Sequence, residues 1–131
     1  MREGVLFISP SGEDARTISS ILDSVSIAMR RAGNLKEALR KLEAEPFGVV
    51  LTEAQLPDGK WTDVLQHLKQ AGKRTAVVVT HRFADGQFWA DILELGAYDL
   101  LPQPFCSGEV QRILANALAP SAPIRRAAPA A

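Results

Sequence analysis

A few residues in this chain have types and positions that could do chemistry. Glu53 stands in Thr52-Glu53-Ala54-Gln55-Leu56-Pro57-Asp58, Thr80 in Thr80-His81, and Gln103 in Pro102-Gln103-Pro104-Phe105. A carboxylate can act as a nucleophile, a base or an anionic ligand, and a threonine hydroxyl can hold an oxyanion. The segment Ser9-Pro10-Ser11-Gly12 precedes a helical pattern, where backbone N–H groups can bind an anion. It lacks the Gly-Lys-Ser/Thr of a P-loop and is no GxGxxG fingerprint. No Ser/His/Asp or Cys/His spacing suits nucleophilic catalysis, and no set of metal ligands gathers in the sequence. His67 and His81 are isolated and are read as surface residues. Cys106 lies just before a predicted helix N-terminus, which can lower a thiol pKa, but a lone thiol without a partner is read as inert. An enzyme is not expected.

The elements that must position these residues are legible as short apolar runs alternating with amphipathic stretches. Val5-Leu6-Phe7-Ile8 reads as a buried strand. A helix follows from Glu13, capped by Ser11, with Ile18, Ile21 and Leu22 on one face. Ser26 to Met29 is a weaker strand. Asn34 opens a second helix with Glu37 at the capping-box spacing, and Ala38, Leu39 and Leu42 form its inner stripe. Val49 to Thr52 is the third strand, and Trp61 to Gln70 the third helix, with Val64, Leu65 and Leu68 inward and Gly72 after its end. Ala76 to Thr80 is the fourth strand. Asp85 to Leu95 is helical, with Gly96 at its C-terminal cap. Tyr98 to Leu101 is the fifth strand, and Ser107 caps a last helix that runs to Leu118. The strands are continuous apolar runs rather than alternating ones, so helices should cover both faces. That pattern predicts a three-layer α/β fold around a five-stranded parallel sheet.

Composition narrows the function. The chain has 131 residues, a usual size for one domain, and its 47% hydrophobic content can supply a core. Lys plus Arg and Asp plus Glu are 15 each, so formal net charge is zero and no strong global field favours nucleic acid or an anionic membrane. The segment Arg30, Arg31, Lys36, Arg40, Lys41 is the best local basic candidate, read as a solvated helix face. One cysteine permits no internal disulfide. The apolar run after Met1-Arg2-Glu3-Gly4 is too short for a signal peptide, and nothing approaches the ~18 apolar residues of a membrane span. The expected location is cytoplasmic. Residues 1–118 are read as one domain, and 119–131, rich in Ala and Pro with Arg125-Arg126, as a disordered tail or a linker.

In such folds ligands bind beyond the C-terminal ends of the strands. Leu56-Pro57-Asp58 after the third strand, Gly96-Ala97-Tyr98-Asp99 before the fifth and Pro104-Phe105 after it, in this order of elements, resemble the receiver domain of bacterial two-component signalling. The resemblance covers residues ~3 to ~118 and implies a flavodoxin-like (βα)5 fold. A working receiver holds Mg²⁺ with two acids after the first strand and accepts phosphate on an aspartate after the third. A Ser or Thr after the fourth strand and a Lys after the fifth grip the phosphoryl oxygens. Phosphoryl transfer concentrates negative charge, which the metal and the lysine neutralise.

Carried onto this chain, the acidic pair falls on Ser9 and Pro10, the acceptor on Glu53, the hydroxyl on Thr80 and the lysine on Gln103, followed by a matching Pro104. The family's glycine at the end of the loop after the acceptor falls on Trp61 if no gap is placed. Only Thr80 and Pro104 match. The resemblance with these departures implies an atypical receiver, with weak or absent Mg²⁺ binding. It would act as a phosphorylation-independent interaction module. Glu53 has three readings: a longer carboxylate arm that mimics the phosphorylated state, with Thr80 bonded to it; a polar residue tolerated in a vacant pocket; or, least favoured because no metal or lysine would offset the charge, a true acceptor. Thr80 is otherwise a strand-end hydroxyl satisfied by nearby backbone. The partners implied are a signalling protein, a kinase, an output domain or a second copy through the face of helix four, strand five and helix five. Phe88, Trp89 and Leu100 are the interface candidates there, Trp61 and Trp89 are each either anchor or core, and Phe83 and Phe105 are core. The alternatives are a conventional phospho-accepting receiver with a degenerate pocket, and a binder of small anions at the strand ends.

Overall fold

The computed structural model describes residues 4–82 and 85–119. Phe83 and residues 120–131 of the tail lie outside the described residues. The elements run β1 (Gly4–Ile8), α1 (Gly12–Asp23), β2 (Met29–Ala32), α2 (Leu35–Ala44), β3 (Phe47–Glu53), β4 (Gln55–Leu56), β5 (Gly59–Lys60), α3 (Trp61–Gln70), β6 (Ala76–His81), α4 (Gly86–Leu95), β7 (Asp99–Pro102) and α5 (Ser107–Leu118). Five strands form one sheet in the order β2-β1-β3-β6-β7, and every pair in it is parallel. β4 and β5 form a separate two-stranded antiparallel pair, unforeseen in the sequence.

The central strands bury both faces, and their side chains alternate between two cores. Leu6, Ile8, Val50, Val77 and Val79 pack with Ala38, Leu42, Val64, Leu68 and Ile92 under α2, α3 and α4. Val5, Phe7, Val49, Leu51 and Val78 pack with Ala15, Ile18, Leu22, Val110, Ile113 and Leu114 under α1 and α5. Each such aliphatic or aromatic side chain contributes about 1.5–3 kcal/mol when fully buried. The three layers follow from the unbroken apolar runs: a strand with no polar face needs a helix on each side. Trp61 belongs to the core at 5% exposure. Phe105 packs edge-on against Phe7, with ring centroids 6.4 Å apart, but stays half-buried.

Several boundaries differ from the sequence reading. β2 covers Met29–Ala32 rather than 26–29. Residues 24–28 close α1: Val25 N and Ile27 N both bond to the Leu22 carbonyl, and Ser26 takes a positive φ of 60°. Arg30 and Arg31 therefore lie on an edge strand, not on a helix face, and Arg30 pairs with Glu45 at 3.3 Å. Cys106, not Ser107, is the N-cap residue of α5, because the helical ladder already begins with Val110 N donating to the Cys106 carbonyl at 2.9 Å. Ser11, Asn34 and Asp85 cap α1, α2 and α4 through their side chains. Glu37 reaches past the cap residue to accept from Gly33 N at 2.8 Å. Gly96 ends α4 with φ 120°, a conformation that side chains resist. No helix among the described residues is long and apolar enough to cross a membrane.

Candidate functional site

Register brings the sequence-selected residues into one row. Chain order reverses about β1: the chain leaves it for β2 on one side and returns to β3 on the other. This makes the crevice at the C-terminal ends of β1 and β3 the expected binding place of the fold. Ile8 pairs with Thr52, so Ser9 and Glu53 come level just beyond them. Glu53 pairs with Thr80, and His81 with Pro102, so Gln103 emerges beside them. Ser9, Glu53, Thr80 and Gln103 thus come together from four neighbouring strand ends. Pro10 and Pro104 lie exposed at the rim.

Within the row the polar groups bond to one another. Ser9 Oγ donates to Glu53 Oε2 at 3.1 Å and accepts from Ser11 N at 3.1 Å. Gln103 Nε2 donates to Thr80 Oγ1 at 3.2 Å. Ser9 and Thr80 are fully buried. The Ser9 carbonyl accepts from Arg31 Nη2 at 3.1 Å, a contact with no sequence signal because it depends on β2 lying beside β1. Burial pushes the Glu53 carboxyl above the ordinary glutamate range. The Ser9 hydrogen bond opposes that rise, the negative charge of Asp14 adds to it, and Gln103 and Arg82 act weakly against it. Asp14 Oδ2 is buried without a hydrogen-bond partner. The only hydrogen bond of the Thr80 side chain among those described is with Gln103, so the hydroxyl does not reach Glu53 directly.

A receiver-type Mg²⁺ requires hard oxygen ligands at the end of β1. At the two positions where the family carries its acidic pair, the side chains do not match that need. The Ser9 hydroxyl is committed to Glu53 and Ser11, and the Pro10 side chain carries no oxygen. Gln103, at the end of β7, is a neutral amide where a cation would offset phosphoryl charge.

The other candidates fall elsewhere. His67 and His81, expected at the surface, are half-buried: His67 Nε2 is buried without a partner, and the His81 ring stacks on Phe88 at 4.8 Å. Cys106 is exposed. Phe88, Trp89 and Leu100 are half-buried on α4 and β7. Phe88 and Leu100 pack on the core, while Trp89 Nε1 donates to Asp99 Oδ1 at 3.4 Å.

Comparison with known proteins agrees with this geometry. Residues 12–115 match the family model of the response regulator receiver domain. The response regulator protein PilR of Pseudomonas aeruginosa is 29% identical over 117 residues, covering 89% of this chain and 26% of PilR. The CpxR homolog of Haemophilus influenzae, a transcriptional regulatory protein, is 28% identical over 89% of this chain and 52% of its own length. The chain thus spans about a quarter to a half of these relatives. Among solved structures, the signal receiver domain of a putative Luxo repressor from Vibrio parahaemolyticus superposes with a TM-score of 0.84 at 19% identity, covering 90% of this chain and 91% of that one. The beryllofluoride-activated NtrC4 receiver domain dimer does so at 0.80 and 22%, covering 87% and 94%. At such identities the solved structures speak to the flavodoxin-like receiver fold alone, while the family model spans most of the chain. The chain belongs to the response regulator receiver family.

Proposed function

We propose that this receiver domain serves two-component signalling as a protein–protein interaction module whose state does not depend on phosphorylation. The observation that carries the reading is the pairing of Ser9 with Glu53 beside the pairing of Gln103 with Thr80. Groups that in a working receiver would face a metal ion and a phosphoryl group here bond to each other. Glu53 then places a carboxyl group at the acceptor position without any phosphoryl donor, and Gln103 ties the exit of β7 to β6 without any ligand. Mg²⁺ affinity is weak or absent on this reading, since neither Ser9 nor Pro10 offers a carboxylate.

The interaction surface is the face of α4, β7 and α5. Phe88, Trp89, Ala90, Ile92, Leu93 and Leu95 are apolar, yet only Ile92 is buried, and Leu95 is 56% exposed. Half-buried aromatics anchor interfaces well, because they bring large area at low entropic cost. A second copy, a kinase or an output domain are the proposed occupants. Residues 1–118 are proposed as the working unit, with 119–131 as a tail or linker. The exposed free Cys106 suits a reducing compartment, and the cytoplasm is the proposed location. Neutral net charge argues against nucleic-acid binding by this domain.

The test adds Mg²⁺ and beryllofluoride while amide NMR shifts are recorded at the strand ends, with intact mass after acetyl phosphate. Unmoved amides near Glu53, Thr80 and Gln103, and no added mass, support the reading. Saturable shifts or one added phosphoryl group make the domain a phospho-accepting receiver with an unusual pocket. Shifts with inorganic phosphate alone point instead to an anion binder.

A further inference from the structure

The segment after Glu53 forms a closed arm. Trp61 N donates to the Ala54 carbonyl at 3.1 Å, Gln55 pairs with Lys60, and Leu56 pairs with Gly59. At the tip of the arm, Asp58 Oδ1 accepts from Leu35 N at 2.7 Å and Oδ2 from Lys36 N at 3.0 Å. These are the first two residues of α2, whose N–H groups have no acceptor inside the helix. The third, Glu37 N, goes to Asn34 Oδ1 at 2.8 Å. Helix α2 therefore starts with every one of these donors satisfied, two of them by a carboxylate that belongs to another connection. A negative charge also suits the positive end of the helix dipole, and the two N–H groups hold the exposed Asp58 carboxyl below the ordinary aspartate range.

The approach of the arm is close. A Cβ at Gly59 would stand 2.5 Å from Leu35 Cδ2 and 2.8 Å from Asp63 Oδ2, the ends of two side chains that would have to move aside. Leu56 is buried at 8% exposure beneath it, among the residues of the core under α2 and α3. At the arm's other end, Ala54 N donates to the Thr80 carbonyl at 3.2 Å, next to Glu53.

We propose that Asp58 is a positioning residue that fastens the arm following Glu53 to the start of α2, so that the Glu53 end of β3 and the N-terminus of α2 move as one body. A change at the strand-end row then reaches α2 through the backbone of residues 54–58. The device is independent of whether the pocket accepts phosphate.

The experiment uses the full chain carrying Asp58→Ala, with amide NMR, hydrogen exchange and a titration of sodium sulfate. The expected result is that the Leu35 and Lys36 amides shift, the Glu53 and Ala54 amides shift with them, and exchange across residues 54–61 rises about tenfold. Sulfate, a free anion, restores the Leu35 and Lys36 shifts but not the protection of the arm, because it caps the helix without tethering anything. Asp58→Asn, which keeps the size and one acceptor, gives the same pattern at smaller amplitude and serves if the alanine variant does not fold. If only Leu35 and Lys36 respond while the arm and Glu53 stay as they were, or if sulfate restores both ends, Asp58 is a helix cap alone and the proposal is overturned.

Discussion

The strand-end row and the α4 face are built in opposite ways. In the row, every sequence-selected polar side chain has found another: Ser9 with Glu53, Gln103 with Thr80. On α4, a helix rich in apolar residues buries Ile92 alone and leaves Phe88, Trp89 and Leu93 partly covered and Leu95 exposed. Where pocket groups already bond to one another, a ligand must break those contacts before it forms its own. An incompletely covered apolar face gains by covering it. The contrast favours the proposed reading, in which the side of the domain rather than its crevice meets a partner.

The largest effect is expected at the α4 face. Leu95→Arg or Trp89→Ala should weaken self-association or binding of a signalling partner by about 2 kcal/mol, roughly 30-fold, the size expected at an interface anchor. Calorimetry or sedimentation would read it. Leu95→Arg should leave the melting temperature nearly unchanged, because the side chain is already exposed. Unaltered binding in both variants would move the interface elsewhere.

Removing the row's central donor comes next. Ser9→Ala leaves Ser11 N without an acceptor and Glu53 without its hydroxyl, which should cost about 1–2 kcal/mol and several degrees in thermal unfolding. Gln103→Ala, which removes the amide bonded to the buried Thr80, should cost about 1 kcal/mol and shift the Thr80 amide. A larger loss at Gln103 than at Ser9 would mean that the β6–β7 side dominates the row.

The two carboxylates give opposite pH responses. Glu53 has a raised folded pKa, so the native state takes up its proton more readily than the unfolded chain. Stability is therefore lost as pH rises from the ordinary glutamate value through the raised one. Glu53→Gln should remove that slope and match or exceed the parent above it, while its amide oxygen still accepts from Ser9. Asp58 has a lowered folded pKa. Its contribution is complete above the ordinary aspartate value and is lost as pH falls through the lowered one, and Asp58→Asn should flatten that acid limb. The Asp58 effect should be the smallest of the series, since the group is exposed and screened.

Much of the fold was legible because burial on both faces writes itself into composition. Val5 to Ile8, Val49 to Leu51 and Ala76 to Val79 are apolar without interruption, and three parallel strands sit there. Ser11 and Asn34 announced two helix starts, because capping needs only a short side chain and neighbouring N–H groups. β2 was misplaced because an edge strand needs no apolar run, so Arg30 and Arg31 hid it while the turn at Ser26 displaced its start. At the pocket, the residues were identified by their places at strand ends, but their pairing was not. Whether Ser9 meets Glu53 depends on β1 lying beside β3 with Ile8 opposite Thr52. Whether Asp58 reaches α2 depends on how the connection after Glu53 closes against the start of that helix. Apart from β2 and the β4–β5 pair, the strands and helices follow from the sequence alone, as do the residue types at the strand ends. Only the tertiary structure decided that those residues satisfy one another, since hydrogen bonds between residues 22 to 44 positions apart are set by strand register and loop closure, neither of which leaves a local mark on the chain.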